Sequence, residues 1–249
     1  MSRIVNIMPM AGLGKRFYES IFQLPKPLIK IKKRPMFIQA AKSMPKSNLN
    51  IFICNKRLVN DYQIDKIISK KFINNFKLIT VKKTTKGQAS TCLLAQKFLK
   101  KNDMIFIHSC DSLIKFNFND FKNYLKRNDG IIFTAKPNKT HIKYVKSYGW
   151  VKLDNGKIIK ITCKKKASLN PKKDLVIIGS FAFRNKKTFL KLTKDLIKNK
   201  QTINNEYYLD IVFKNAVEKG LKIKNINVKS YHSWGTPGEL IQWKKKFEK

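Results

Sequence analysis

The first 27 residues constrain this chain more than any other stretch. Ile4-Val5-Asn6-Ile7-Met8 is an apolar run of the kind that forms a buried strand. It passes through Pro9 and Met10 into Ala11-Gly12-Leu13-Gly14-Lys15-Arg16-Phe17, and Pro25-Lys26-Pro27 closes the segment. Glycines without a Cβ let backbone N–H groups come close to an anion. Lys15 and Arg16 add full positive charge, and an arginine grips phosphate oxygens with two parallel hydrogen bonds. The proline pair stiffens the backbone on either side of Lys26. These residue types predict a polyphosphate site at the carboxyl end of the first strand.

The loop is neither of the two common phosphate fingerprints. A Walker A loop needs four residues between its glycines and then Lys-Ser/Thr. The dinucleotide motif needs a third glycine that does not follow here.

Further along, alternation of strand and helix fills the first 135 residues. Strand patterns lie at Asn50–Cys54, Phe76–Val81, Met104–His108 and Gly130–Ala135, with a short extended segment at Leu28–Ile31. Helical patterns lie at 35–44, 56–71, 87–99 and 120–126. This order predicts a parallel sheet with helices on both faces. The pattern then changes. Gly149–Leu153 and Lys157–Ile161 flank Asp154-Asn155-Gly156, a strong hairpin signal. A long strand at Leu175–Phe183, helices at 186–199 and 206–219, a strand at 222–229 and a helix from Pro237 complete the reading. We expect one domain over 1–249, with a nucleotide-binding half (1–135) and a second, substrate-binding half (136–249). The fold class expected is α/β, a Rossmann-like three-layer α/β/α arrangement around a mixed, mainly parallel sheet.

Charge needs an explanation. The 249 residues carry 54 Lys+Arg against 15 Asp+Glu, a net charge of +39. One reading is a nucleic-acid or anionic-membrane binder. The other is compositional bias, because Lys, Asn and Ile are abundant throughout and the lysines gather in no single tail; we favour bias. Cys54, Cys92, Cys110 and Cys163 form no Cys-x-x-Cys pair, which argues against zinc or a disulfide framework and for a reducing, cytoplasmic setting. The N-terminal apolar run is too short for a signal peptide, and no apolar segment reaches the roughly 20 residues that span a bilayer.

Asp111 ends an apolar strand, where α/β folds place site residues. There it would hold Mg²⁺ between phosphates or simply cap the next loop. Thr85-Lys86-Gly87-Gln88-Ala89-Ser90 opens a helix; Gly87 would let a flat base lie on backbone, and Gln88 offers a donor and an acceptor. Lys164 lies in a lysine run that also reads as a solvated stretch. Glu206 and Asp210 stand close together in a chain poor in acids, though a helix start also attracts acids.

The succession Ala11-Gly12-Leu13-Gly14-Lys15-Arg16, Pro25-Lys26-Pro27, Gly87-Gln88-Ala89, Asp111, hairpin, Cys163-Lys164, Glu206-Tyr207-Tyr208-Leu209-Asp210 and Gly235-Thr236-Pro237 resembles the sugar-1-phosphate nucleotidyltransferases over nearly the whole chain. The resemblance implies a nucleotide-diphospho-sugar transferase fold and transfer of a nucleotidyl group to a sugar 1-phosphate, with release of pyrophosphate. It implies catalytic roles for Arg16, Lys26 and Asp111, with Asp111 holding Mg²⁺. It implies nucleotide contacts from Ala11, Gly12, Gly14, Lys15, Gly87 and Gln88, and acceptor contacts from Gly149, Lys164, Glu206 and Asp210. Its partners would be a nucleoside triphosphate and a sugar 1-phosphate, with no specific nucleic acid and no membrane span, and with homo-oligomer formation left open. A place in surface-polysaccharide precursor synthesis goes with it.

Two positions depart from the family pattern. The usual Glu before Lys164 is Cys163, and a thiol cannot accept two strong hydroxyl hydrogen bonds. A second metal-binding Asp, frequent two residues before Gly235, is Ser233 here. A glycosyltransferase of similar architecture is the rival enzyme; it would be expected to carry Asp-x-Asp, and Asp111-Ser112-Leu113 lacks the second Asp. A non-catalytic basic nucleic-acid-binding protein is the other rival.

Overall fold

The structure is a computed structural model and describes residues 3–248. The opening apolar run forms β1 (Ile4–Met10), buried along almost all its length. The glycine loop leads into a single helical turn, α1 (Lys15–Tyr18), whose Phe17 is buried. Residues Lys26–Leu28 form a 3₁₀ turn closed by a bond from the Ile29 amide to the Lys26 carbonyl, so the extended segment begins only after Leu28. A ribbon of β2 (Lys30–Ile31) and β3 (Arg34–Pro35) follows, then α2 (Met36–Ala40). This helix tightens to 3₁₀ at Ala41–Ser43 and stops at Met44, which is extended before Pro45.

β4 (Leu49–Asn55) is the second buried strand. The helical stretch expected over 56–71 is in fact two helices, α3 (Lys56–Asn60) and α4 (Ile64–Lys71), broken at Gln63, which sits at φ 51°. Next come β5 (Phe76–Val81), α5 (Gln88–Leu93), β6 (Met104–His108), β7 (Ser112–Lys115), α6 (Phe118–Arg127) and β8 (Gly130–Ala135). After α7 (Lys139–Lys143), the hairpin of β9 (Gly149–Asp154) and β10 (Lys157–Cys163) turns on Asn155 and Gly156, both at positive φ. β11 (Leu175–Phe183), α8 (Lys186–Lys198), α9 (Leu209–Glu218), β12 (Ile223–Asn227), β13 (Ser230–Ser233) and α10 (Pro237–Phe247) complete the chain. α9 begins three residues later than the pattern suggests, because Glu206–Tyr208 is a loop segment laid along Gly87.

Nine strands form one sheet. β1 lies between β4 and β6, all parallel, with β5 beyond β4. β11 is inserted antiparallel between β6 and β8, and β12 lies parallel to β8. β9 also pairs antiparallel with β11, and β10 with β9, so β10 and β11 run against the other seven. Period-two alternation divides the core. Met8, Phe52 and Phe106 face one layer with Phe37, Ile68, Phe121 and Leu240 from α2, α4, α6 and α10. Ile7, Ile53 and Ile107 face the other with Cys92, Leu196 and Phe213 from α5, α8 and α9. The three layers are therefore helix, mixed and mainly parallel sheet, helix.

One irregularity shapes the molecule. β11 keeps β8 on one edge throughout, but its other edge is shared. Ser180–Phe183 pair with β6, while Leu175 and Val176 pair with β9. Between these halves the register against β8 slips, and Gly179 takes φ +71°. β6 and β9 therefore part company along one edge of a bent strand, and a crevice opens between them.

Candidate active site

The bend in β11 is the floor of that crevice. Ile177, Ile178 and Gly179 line a cavity of about 270 Å³. Gly179 accepts a hydrogen bond from the Ser109 amide at 3.1 Å, which ties the floor to the end of β6. His108, the last residue of β6, is buried. Its Nε2 donates to the Ser112 carbonyl at 3.0 Å, so its Nδ1 accepts from the Ser180 hydroxyl at 2.7 Å. Burial pushes this imidazole down to about 4, so it stays neutral and acts as a strut under the loop.

That loop presents Asp111. Its backbone oxygen accepts from the Trp234 amide at 2.8 Å, and its side chain bonds the Lys26 ammonium. Burial alone would raise this carboxyl. The Lys26 ammonium, by charge and by hydrogen bond, and the Ser109 hydroxyl together bring it below its ordinary value. Lys26 stands between buried Pro25 and Pro27 and also donates to the Gly235 carbonyl at 3.2 Å. Gly14, at φ +63°, places the glycine loop against it: a Cβ there would lie 3.3 Å from the Lys26 Cβ.

The opposite wall comes from the second half of the chain. Asp210, in the first turn of α9, lies directly on Gly149; a Cβ at that glycine would meet Oδ2 at 2.2 Å. Burial raises the Asp210 carboxyl to about 6, against the opposing pull of the Cys163 thiol and Lys164. Lys164 takes φ +58°, donates to the Ser147 carbonyl at 2.8 Å and reaches over the Tyr208 ring at 5.3 Å.

Of the residues singled out in the sequence, Arg16, Lys26, Gln88, Asp111, Gly149, Lys164 and Asp210 line the cavity. Ala11, Gly12, Gly14, Lys15, Gly87 and Glu206 do not. Gly12 and Lys15 are exposed and Ala11 is buried behind the loop. Gly87 has φ +96°, and the space its Cβ would take is filled by the Tyr207 backbone at 2.6 Å, so chain packing already demands glycine there. Glu206 is exposed and accepts from the Tyr208 hydroxyl.

The structure adds residues that sequence reasoning passed over. Chief among them is Glu239 in α10, which accepts from the Tyr148 hydroxyl at 3.0 Å and the Thr236 hydroxyl at 3.1 Å. Its sequence signal, Thr-x-x-Glu at a helix start, is explained locally as a cap and gives no hint of the crevice. Arg16, Tyr148 and Glu239 also border a second cavity of about 510 Å³, which Lys139 and Lys143 line as well.

Could the residues hold a divalent metal? Among the described residues there is no cluster of three His, Cys, Asp or Glu side chains suited to one. Mg²⁺, however, takes oxygen donors and usually one or two carboxylates, leaving the rest to phosphates and water. Around the open Cα of Gly235 the oxygens converge: the point where its Cβ would stand is 3.2 Å from Glu239 Oε2, 3.5 Å from Ser233 Oγ and 3.6 Å from Asp111 Oδ2. This all-oxygen donor set fits a hard cation.

A crevice at strand ends, with cations on one lip and acids within, lies where open α/β sheets place their ligands. The family profile for nucleotidyl transferases matches residues 6–246, and the chain belongs to that family. No curated protein matches it in sequence. Solved structures share its fold at low identity. A nucleoside-diphosphate-sugar pyrophosphorylase from Vibrio cholerae RC9 superposes with a TM-score of 0.77 at 20% identity, covering 96% of this chain and 99% of that one. A putative glucose-1-phosphate thymidylyltransferase from Bacillus anthracis gives 0.74 at 16% identity, covering 96% and 93%. The inositol-1-phosphate CTP transferase of T. maritima gives 0.69 at 14%, covering 96% and 92%. No helix among the described residues is long and apolar enough to cross a membrane.

Proposed function

We propose that this nucleotidyl transferase joins a nucleoside triphosphate to a sugar 1-phosphate, giving a nucleotide-sugar and pyrophosphate. The observation that carries the reading is the convergence of Arg16, Lys26 and Lys164 with Asp111 around one crevice. A phosphate oxygen of the acceptor attacks the α-phosphorus in line. The bond from that phosphorus to the β-bridging oxygen breaks, and pyrophosphate leaves with the electron pair. No covalent intermediate is needed. The protein must hold two anions together and neutralise the charge that develops.

Arg16, with Lys15 and the amides of Ala11, Gly12 and Gly14, grips the departing pyrophosphate. Lys26 stabilises the α-phosphoryl group. Gly87 and Gln88 receive the base, and Gln88 alone of this pair lines the cavity. Lys164 anchors the acceptor phosphate, and Gly149, Asp210 and Glu206 lie on the acceptor side. Asp111 would hold Mg²⁺, which supplies charge neutralisation on the phosphates when bound. Residues 1–135 serve as the nucleotide half and 136–249 as the acceptor half. Four buried free thiols suit a reducing, cytoplasmic setting, and the product class suits polysaccharide precursor synthesis.

The test is pyrophosphate release with Mg²⁺, each common nucleoside triphosphate being offered against a panel of sugar phosphates. Release that requires one nucleotide and one sugar phosphate together supports the reading and identifies both. Absence of release from every pair, with no nucleotide binding, overturns it.

A further inference from the structure

We propose that Glu239 is the second carboxylate of the metal site, in the place where Ser233 offers only a hydroxyl. The inference rests on the nucleotidyl-transfer reading in taking the metal to be a divalent cation shared with a nucleotide.

Three observations carry it. The first is convergence: Asp111 Oδ2, Ser233 Oγ and Glu239 Oε2 all lie within 3.6 Å of one point, the space that a side chain at residue 235 would fill and that glycine leaves open. The second is pre-organisation. Tyr148 donates to Oε1, Thr236 donates to Oε2, and the Glu239 amide donates to Thr236 Oγ1 at 3.2 Å. The carboxylate is fixed by two hydroxyls, and each oxygen keeps a lone pair. The third is the absence of a cation to satisfy it. Among the described residues Glu239 belongs to no ion pair, in a chain with 54 basic and 15 acidic residues. The helix start accounts for the Thr236 contact with Oε2, but not for Oε1, which is held by Tyr148 from outside the helix. The Lys26 ammonium, set between Asp111 and the Gly235 carbonyl, marks the same spot as one that attracts positive charge.

The experiment is Mn²⁺ binding, followed by electron paramagnetic resonance of the free ion, with the full chain and a nucleoside triphosphate whose α–β bridge cannot be cleaved. Wild type, Glu239→Gln, Tyr148→Phe and Asp111→Asn are compared. Glu239→Gln preserves side-chain shape and a carbonyl acceptor, and circular dichroism verifies its fold. We expect it to weaken Mn²⁺ by at least about tenfold, with a smaller loss in Tyr148→Phe, which only loosens the carboxylate. Wild-type Mn²⁺ affinity in Glu239→Gln, alongside weakened binding in Asp111→Asn, overturns the inference and leaves the nucleotidyl-transfer reading standing. A wild-type protein that binds the nucleotide without Mn²⁺ also overturns it. Binding of neither overturns both.

Discussion

The Lys26 ammonium rests on the Asp111 carboxylate, 85 residues further along the chain. The pair joins the stiff Pro-Lys-Pro turn to the end of β6 and lies largely out of solvent, with side-chain exposures of 17% and 23%. In the proposed reaction Lys26 meets phosphate and Asp111 meets metal, so substrate binding would exchange one set of charge contacts for another. We predict that Lys26→Ala lowers turnover by a factor of about 10² or more while the far-UV circular dichroism is unchanged. Wild-type-like turnover would remove Lys26 from the mechanism.

Arg16 is exposed on a one-turn helix and contributes little to the core. Arg16→Ala should leave the thermal midpoint where it is and lower turnover by about 10² or more, because a preorganised cation on the leaving group acts mainly in the transition state. Steady-state pyrophosphate release together with a melting curve checks both halves of this prediction.

Asp210 carries a stability cost that depends on pH. Its folded carboxyl is raised to about 6, above the ordinary value of 3.8, so the folded state disfavours the charged form. Asp210→Asn should therefore stabilise the protein at pH 7 by about 3 kcal/mol. The gain should fade as pH drops through 6, where the native carboxyl takes up its proton. Urea denaturation of both proteins at pH 7 and pH 4.5 measures this, and an equal difference at the two pH values would contradict it.

His108 works in the opposite direction. Its folded imidazole is pushed down to about 4, so the stability it contributes is complete above its ordinary value of 6.5 and is lost as pH falls towards 4. The stability difference between wild type and His108→Gln should shrink by about 2 kcal/mol between pH 7.5 and pH 5. A difference that stays constant would mean that the imidazole titrates normally.

Gly87 tests the packing of the base-side loop. Alanine there would put a Cβ 2.6 Å from the Tyr207 amide nitrogen, at a φ of +96°. Backbone cannot yield as a flexible side chain does, so we expect a loss of about 2 kcal/mol or more by denaturation. A neutral effect would show that the 206–208 segment moves freely.

Much of the sheet was legible because buried strands announce themselves. The runs at Phe76–Val81, Met104–His108, Gly130–Ala135 and Leu175–Phe183 coincide with strands, and Asn155-Gly156 turns the hairpin as its composition demands. Less legible were the elements made by distant partners. β7 and β13 are short and form a two-stranded ribbon only with each other, Ser112 opposite Ser233. An isolated Gly179 within a strand pattern is a signal for a bulge. Nothing local told that β6 and β9 would divide one edge of that strand. The site follows the same rule. Lys26 and Asp111 stood out by context, whereas Glu239 hid behind a helix-start motif, and the contact of Asp210 with Gly149 joins residues with no sequence relation.

The position of β11 also bears on how the chain reaches this shape. β6 and β8 run parallel and are consecutive strands of the large sheet, yet they do not pair with each other; the slot between them is filled by residues 180–183, which emerge from the ribosome only after both. Until then the growing polypeptide carries two facing rows of unpaired amides and carbonyls. Closing that gap brings together segments far apart in sequence, the kind of contact that slows folding and leaves strand edges open to aggregation. The bent strand that makes the crevice is thus also the latecomer that joins β6 to β8.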